Sequence, residues 1–232
     1  MYFDIETSGL DPATSDFKCA CFSHGEVKHV ARSVADAVSY IVGRPANDQF
    51  VSWNGAAFDF RFLAEKTECH ITRGRLAHIA RDRHFDMMLD FLAHYGYPAS
   101  MESFASRLPG EGKTWSGAGA AEASDEDIEK VIAYCENDVQ ILRSIHKAGQ
   151  KNRTLARTTK GGKVHIWPLP RFGAFRDVAK CLEMSNCQMP DQTWMDGRGG
   201  SKLNILSMTG WCAAYCAELA SGSSQPPCNA AE

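Results

Sequence analysis

Between residues 128 and 145 the chain carries its clearest amphipathic helix. Ile128, Val131, Ile132, Cys135, Val139, Leu142 and Ile145 recur at helical spacing, with Ser124 placed to cap the segment and Asp125, Glu126 and Asp127 in its first turn. An apolar stripe of that length has to be buried against another element. The segments before it include several short strand-like runs: Met1 to Glu6, Phe17 to Phe22, Glu26 to Val30 and Phe50 to Trp53. Ser23 to Glu26 fits a hairpin turn between the second and third runs. Helical spacing marks Ser33 to Val42, Phe58 to Glu65, Asp86 to Tyr95 and Met101 to Leu108. Strands and helices mixed in this way predict an α/β domain, a central mixed sheet flanked by helices.

A chain of 232 residues can bury one substantial core and carry a smaller appendage. The layered domain is expected over residues 1–150, an extension packed on it over 151–220, and a flexible tail over 221–232. The extension opens with the basic residues Lys151, Arg153, Arg157, Lys160 and Lys163. It continues with a strand near Val164 to Trp167 and ends in a helix from Ile205 to Leu219. Residues 110–124, rich in Gly, Ala and Ser, read as the least structured internal stretch, either facing substrate or simply slack.

The composition, 44% hydrophobic and 23% charged, is that of a soluble globular chain, and no run approaches the roughly 20 apolar residues of a membrane span. Two acids within the first six residues stand where a secretory signal would be basic and then apolar, so a cytoplasmic location is expected. A net charge of -3 is not the footprint of a protein that wraps duplex DNA, though an acidic cation site can still meet phosphates through its cations. The nine cysteines do not read as a disulfide framework. Cys19 and Cys21 are expected to point away from each other. Cys135 reads as a small core residue, and Cys181, Cys187, Cys212 and Cys216 are the one candidate group for a zinc site, though they lack a close pair and read more readily as scattered reduced cysteines.

The acids carry the chemistry. Asp4 and Glu6 alternate with Phe3 and Ile5, so the period of a strand sends both carboxylates to one face. Two like charges there are costly unless a cation binds them, although an exposed strand end with two surface acids fits the same pattern. Asp59 follows Asn54 and Gly55 and stands among Phe58, Phe60 and Phe62, as a pocket wall or as a plain helix-start acid. Tyr134 and Asp138 are four apart on the long helix, hence on one stripe of it. Together the four acids make a hard oxygen site suited to Mg²⁺ or Mn²⁺, and two such ions about 4 Å apart support an in-line displacement at phosphorus.

At these same residues the sequence resembles the DEDD exonucleases of the ribonuclease H-like fold, in the subgroup with tyrosine in its third motif. Phe3-Asp4-Ile5-Glu6-Thr7 resembles the first motif, Asn54-Gly55 to Asp59 the second, and Tyr134 to Asp138 the third. The resemblance runs from about Met1 to Ile145, and it is nearest to the proofreading-like exonucleases of family B DNA polymerases. It implies a ribonuclease H-like fold and 3′–5′ exonuclease activity on single-stranded DNA, releasing 5′-mononucleotides with two metal ions. By the same resemblance Asp4, Glu6, Asp59 and Asp138 hold the metals and Tyr134 orients the attacking water. Thr7, Asn54 and Phe58 are then expected at the terminal nucleotide, and Asp86 is expected to be structural. An exoribonuclease or a binding domain with weak catalysis are the alternatives. The segment Pro190 to Met195 is read as a plug on the domain more readily than as a cover for the site.

Overall fold

The computed structural model describes residues 1–95, 99–108, 117–159, 161–168 and 205–221. Five strands form a mixed sheet in the order β3-β2-β1-β4-β5. They are β1 (Tyr2–Thr7), β2 (Phe17–His24), β3 (Val27–Ala31), β4 (Phe50–Ser52) and β5 (His84–Asp86). The first three are antiparallel neighbours, while β4 runs parallel to both β1 and β5. The expected turn joins β2 to β3, and Gly25 takes the positive φ of 63° that a tight hairpin needs.

Strand alternation splits the sheet into two chemically distinct faces. Phe3, Ile5, Ala20 and Phe22 point to one core, where they meet helices α1 (Val34–Val42), α2 (Asp59–Glu65) and α3 (His70–Asp82). The Phe3 ring stacks on Phe22 and meets Phe60 edge-on. Asp4, Glu6, Cys19 and Cys21 lie on the opposite side, which is crossed by α7 (Ile128–Asn152). Residues two apart on a strand share a face, so the expectation that Cys19 and Cys21 point apart is wrong. Both pack with Val131, Ile132, Cys135 and Val139 of α7.

The predicted start of α7 is displaced by one turn. Asp125–Asp127 form a 3-10 turn, and the Ser124 hydroxyl donates to the Asp127 carboxylate instead of capping backbone N–H groups. Part of the stretch read as unstructured is ordered, with Gly117–Glu122 forming helix α6. Lys18 holds the C-terminal end of α6, its Nζ lying 2.7–2.8 Å from the carbonyls of Ala120, Ala121 and Ala123.

Helices α4 (Met87–Tyr95) and α5 (Glu102–Ala105) fall within their predicted spans. They border a second core in which Trp167 is fully enclosed by Phe91, Phe104 and Trp53. Trp167 belongs to a hairpin of β6 (Thr154–Thr158) and β7 (Val164–Pro168) and donates to the Asp90 carboxylate.

Helix α3 and strand β5 were not anticipated. The α3 sequence is rich in Arg and His, and its large apolar residues are only Ile71, Leu76 and Ile79. Its partner comes from the far end of the chain. Helix α8 (Ile205–Ala220) lies against α3, and Leu219 sits so close that a Cβ on Gly74 would be 2.6 Å from it. Cys212 and Cys216 of α8 are buried thiols in the first core, while Cys181, Cys187 and the Pro190 to Met195 segment lie outside the described residues.

Candidate active site

Strand β1 supplies the first two carboxylates, Asp4 half-buried and Glu6 buried. The β1–β2 register slips between Glu6 and Thr7, because Glu6 pairs with Cys19 while Thr7 pairs with Phe17. Such a bulge ends regular pairing beside the acids and turns Lys18 out toward α6. The Thr7 hydroxyl donates to Gly9 O at 2.6 Å, closing the turn after β1.

Asp59 arrives from the other side. Strand β4 pairs with β1 only near its start, at Tyr2 and Val51, so farther along β1 a backbone donor remains for another partner. Asp59 Oδ1 accepts the Ile5 N–H at 3.0 Å, placing its carboxylate beside the strand between Asp4 and Glu6. The side chain is almost wholly buried, and burial pushes its pKa up to about 7 against the hydrogen bonds that favour its charge.

The turn from β4 into α2 sets Asp59 in place. Asn54 adopts φ 74°, a left-handed conformation that Asn tolerates better than most residues. Asp86, at the end of β5, accepts from the N–H groups of Asn54 and Ala56 at 2.9 and 2.8 Å and from Leu89 at 3.1 Å. These bonds give Asp86 the structural role expected of it. Gly55 N donates to Ser52 Oγ, which is itself 2.7 Å from His84 Nε2. A Cβ on Gly55 would lie 2.1 Å from Ser52 Oγ and 3.3 Å from Asp59 Oδ2. Close approach, more than φ, excludes a larger residue there. The buried Oδ1 of Asn54 has no hydrogen-bond partner among the described residues. Phe58 is half-buried, against Phe62.

Helix α7 closes the third side. Its Cys135 Sγ lies 3.4 Å from Asp4 O and 4.0 Å from Asp4 Oδ2. Donor atoms of Asp4, Glu6 and Cys135 all fall within 4.8 Å of one another. Tyr134 and Asp138 flank that cysteine on the helix, both buried at 2% and 4% exposure. A Cβ on Gly117 would come within 3.9 Å of the Tyr134 hydroxyl, so α6 borders the phenol. Asp59 of α2 thus bonds to β1 between Asp4 and Glu6, and α7, the helix that bears Tyr134 and Asp138, crosses the face of the sheet that carries those two acids; the donor atoms gathered within 4.8 Å among the described residues are those of Asp4, Glu6 and Cys135. Hard oxygen donors of this kind, one of them buried at a cost to its charge, suit a divalent cation.

Comparison with protein families decides the relationship: the family model described as the RNase_H superfamily matches residues 1–149. The chain belongs to the RNase_H superfamily. The mixed five-stranded sheet with flanking helices agrees with an RNase H-like fold. Membership in the RNase_H superfamily supports a nuclease domain, with nucleic acid as the substrate class and divalent metals as the cofactors such nucleases generally use. No curated protein matches the chain. Among the described residues, no helix is long and apolar enough to cross a membrane.

The sequence reading missed two participants. Trp211 of α8 donates its indole N–H to Ala56 O at 2.8 Å, bracing the turn that presents Asp59 from more than 150 residues away in the chain. Cys135 was read only as core filling, yet it touches Asp4. The alternation of β2 and the helical spacing from Cys135 to Asp138 were the available signals for its placement.

Proposed function

We propose that this superfamily member is a 3′–5′ exonuclease that removes 5′-mononucleotides from single-stranded DNA. The observation that carries the reading is the buried Asp59 carboxylate bound to the backbone between Asp4 and Glu6. In this reading Asp4, Glu6, Asp59 and Asp138 are the protein ligands of two divalent cations, Mg²⁺ or Mn²⁺. When bound, these ions supply water activation and stabilisation of the departing oxygen.

The chain's own groups position the reactants. Tyr134, buried beside Gly117, orients the attacking water through its hydroxyl, since a phenol with a pKa of about 10 is a weak base at neutral pH. Asn54 Oδ1, buried with no protein donor among the described residues, accepts a hydrogen bond from the terminal nucleotide in this reading. Phe58 offers a ring for base stacking, and Thr7 frames the turn beside the 3′ end. Single-stranded substrate fits a scissile phosphate that has to enter a half-buried carboxylate site. Residues 1–150 form the catalytic unit in this proposal, 151–220 its extension and 221–232 a tail, and the enzyme acts in the cytoplasm. The choice of DNA over RNA rests on the resemblance to proofreading-like exonucleases.

A time course with end-labelled single-stranded DNA and RNA of matched sequence, in Mg²⁺ and in Mn²⁺, tests this reading. Stepwise mononucleotide release from the 3′ end of DNA is expected, and Asp4→Asn or Asp138→Asn is expected to abolish it with the fold retained. Internal cuts, or full activity in either variant, would overturn the proposal, and faster RNA degradation would reassign the substrate.

A further inference from the structure

The face of the sheet beneath α7 carries a second donor set, directly behind the carboxylates. Cys21 is the cross-strand partner of Asp4, and Cys19 that of Glu6. Cys135 descends onto them from the helix, and the Sγ atoms of Cys19, Cys21 and Cys135 all lie within 4.8 Å of one another. None of the three residues is more than 2% exposed, and all are free thiols.

One buried cysteine is an ordinary small core residue, and valine or alanine would fill the same space. Three sulfurs converging from two elements are a donor set. A cation bonded to three thiolates at about 2.3 Å in one plane holds them about 4.0 Å apart, so the observed triangle needs only small side-chain rotations to close on an ion. Thiolates select soft or borderline d¹⁰ cations over the hard ions that carboxylates prefer. Asp4 Oδ2, 4.0 Å from Cys135 Sγ, is an oxygen within reach as a fourth donor, and half-exposed Asp4 gives a route from solvent.

We propose that Cys19, Cys21 and Cys135 form a trithiolate site for one thiophilic divalent cation of the Zn²⁺ and Cd²⁺ class, with Asp4 completing the coordination. Each thiol releases its proton to solvent on binding. The site is independent of the nuclease reading and would exist in a chain with no catalytic activity. Because Asp4 belongs to both donor sets, occupation of the sulfur site draws its carboxylate toward the thiolates.

The test is a titration of the metal-free full chain, its Cys69 disulfide left intact, with Cd²⁺ in the presence of excess Mg²⁺, following the thiolate-to-cadmium charge-transfer band in the ultraviolet. One equivalent is expected to saturate the band. Cys19→Ala, Cys21→Ala and Cys135→Ala should each weaken binding at least about tenfold, Asp4→Asn should keep the thiolate band but weaken binding, and the Cys212→Ala/Cys216→Ala double variant should leave both unchanged. No band in the native chain, or one that survives all three single variants, would overturn the proposal. If a cysteine variant fails to fold by circular dichroism, X-ray absorption of the cadmium-loaded native chain decides. A shell of three sulfurs supports the site, and a shell with fewer sulfurs overturns it.

Discussion

Asp59 Oδ1 accepts the backbone N–H of Ile5 at 3.0 Å, at the residue that separates Asp4 from Glu6. One bond therefore completes the sheet where β4 has ended and fixes a buried carboxylate next to two others. Folding and the assembly of the candidate site share this contact.

The first consequence concerns pH and metal. The folded chain holds the Asp59 carboxyl at a pKa of about 7, above its ordinary 3.8, because burial disfavours the charge. Between these values the folded chain keeps a proton that the unfolded chain has released. This group's contribution to stability accordingly falls as pH rises from about 4 to about 7 and stays low above that. A bound cation favours the charged form and reverses the penalty. Saturating Mg²⁺ or Mn²⁺ should raise Tm more at about pH 8 than at about pH 5.5, as scanning calorimetry can measure. Equal increments would remove Asp59 from the ligand set.

Tyr134→Phe keeps the buried ring and removes only the hydroxyl beside Gly117. The expected result is a kcat lower by about 10²-fold with KM within about twofold, since a water-orienting group acts in the chemical step. Steady-state kinetics on a labelled oligonucleotide read both values. An unchanged kcat would make the phenol a packing residue.

At Gly55 a methyl group would collide with Ser52 Oγ at 2.1 Å and press on Asp59 Oδ2. Gly55→Ala should cost about 1–3 kcal/mol in urea unfolding through forced displacement of the turn. Activity should fall beyond what the loss of folded protein explains, because the displaced atoms include the Asp59 carboxylate. A variant with native stability would show that the turn relaxes freely.

The Trp211 indole is 8% exposed and bonds to Ala56 O. Trp211→Ala removes a large buried ring as well as that bond, and a loss of about 3–5 kcal/mol is expected from thermal or urea denaturation. Trp211→Phe should recover most of the packing but leave the carbonyl without its donor. Its residual deficit, about 1 kcal/mol, measures the brace on the turn.

Alternation along Phe3-Asp4-Ile5-Glu6 settled by itself that two carboxylates share a face, because the backbone of a strand offers no other arrangement. The spacing from Ile128 to Ile145 likewise settled a long helix with one buried side, which places Tyr134 and Asp138 on one stripe. These are short-range properties, fixed by the period of the local backbone. Helix α3 was not legible, since its apolar face is small and becomes a core surface only when α8 brings Leu219 onto Gly74. The contacts of Asp59 with Ile5, Trp211 with Ala56, and Cys135 with Asp4 were decided by tertiary structure alone. Each joins residues 54 or more positions apart, and no local periodicity encodes which distant groups a packed sheet and its helices will bring together.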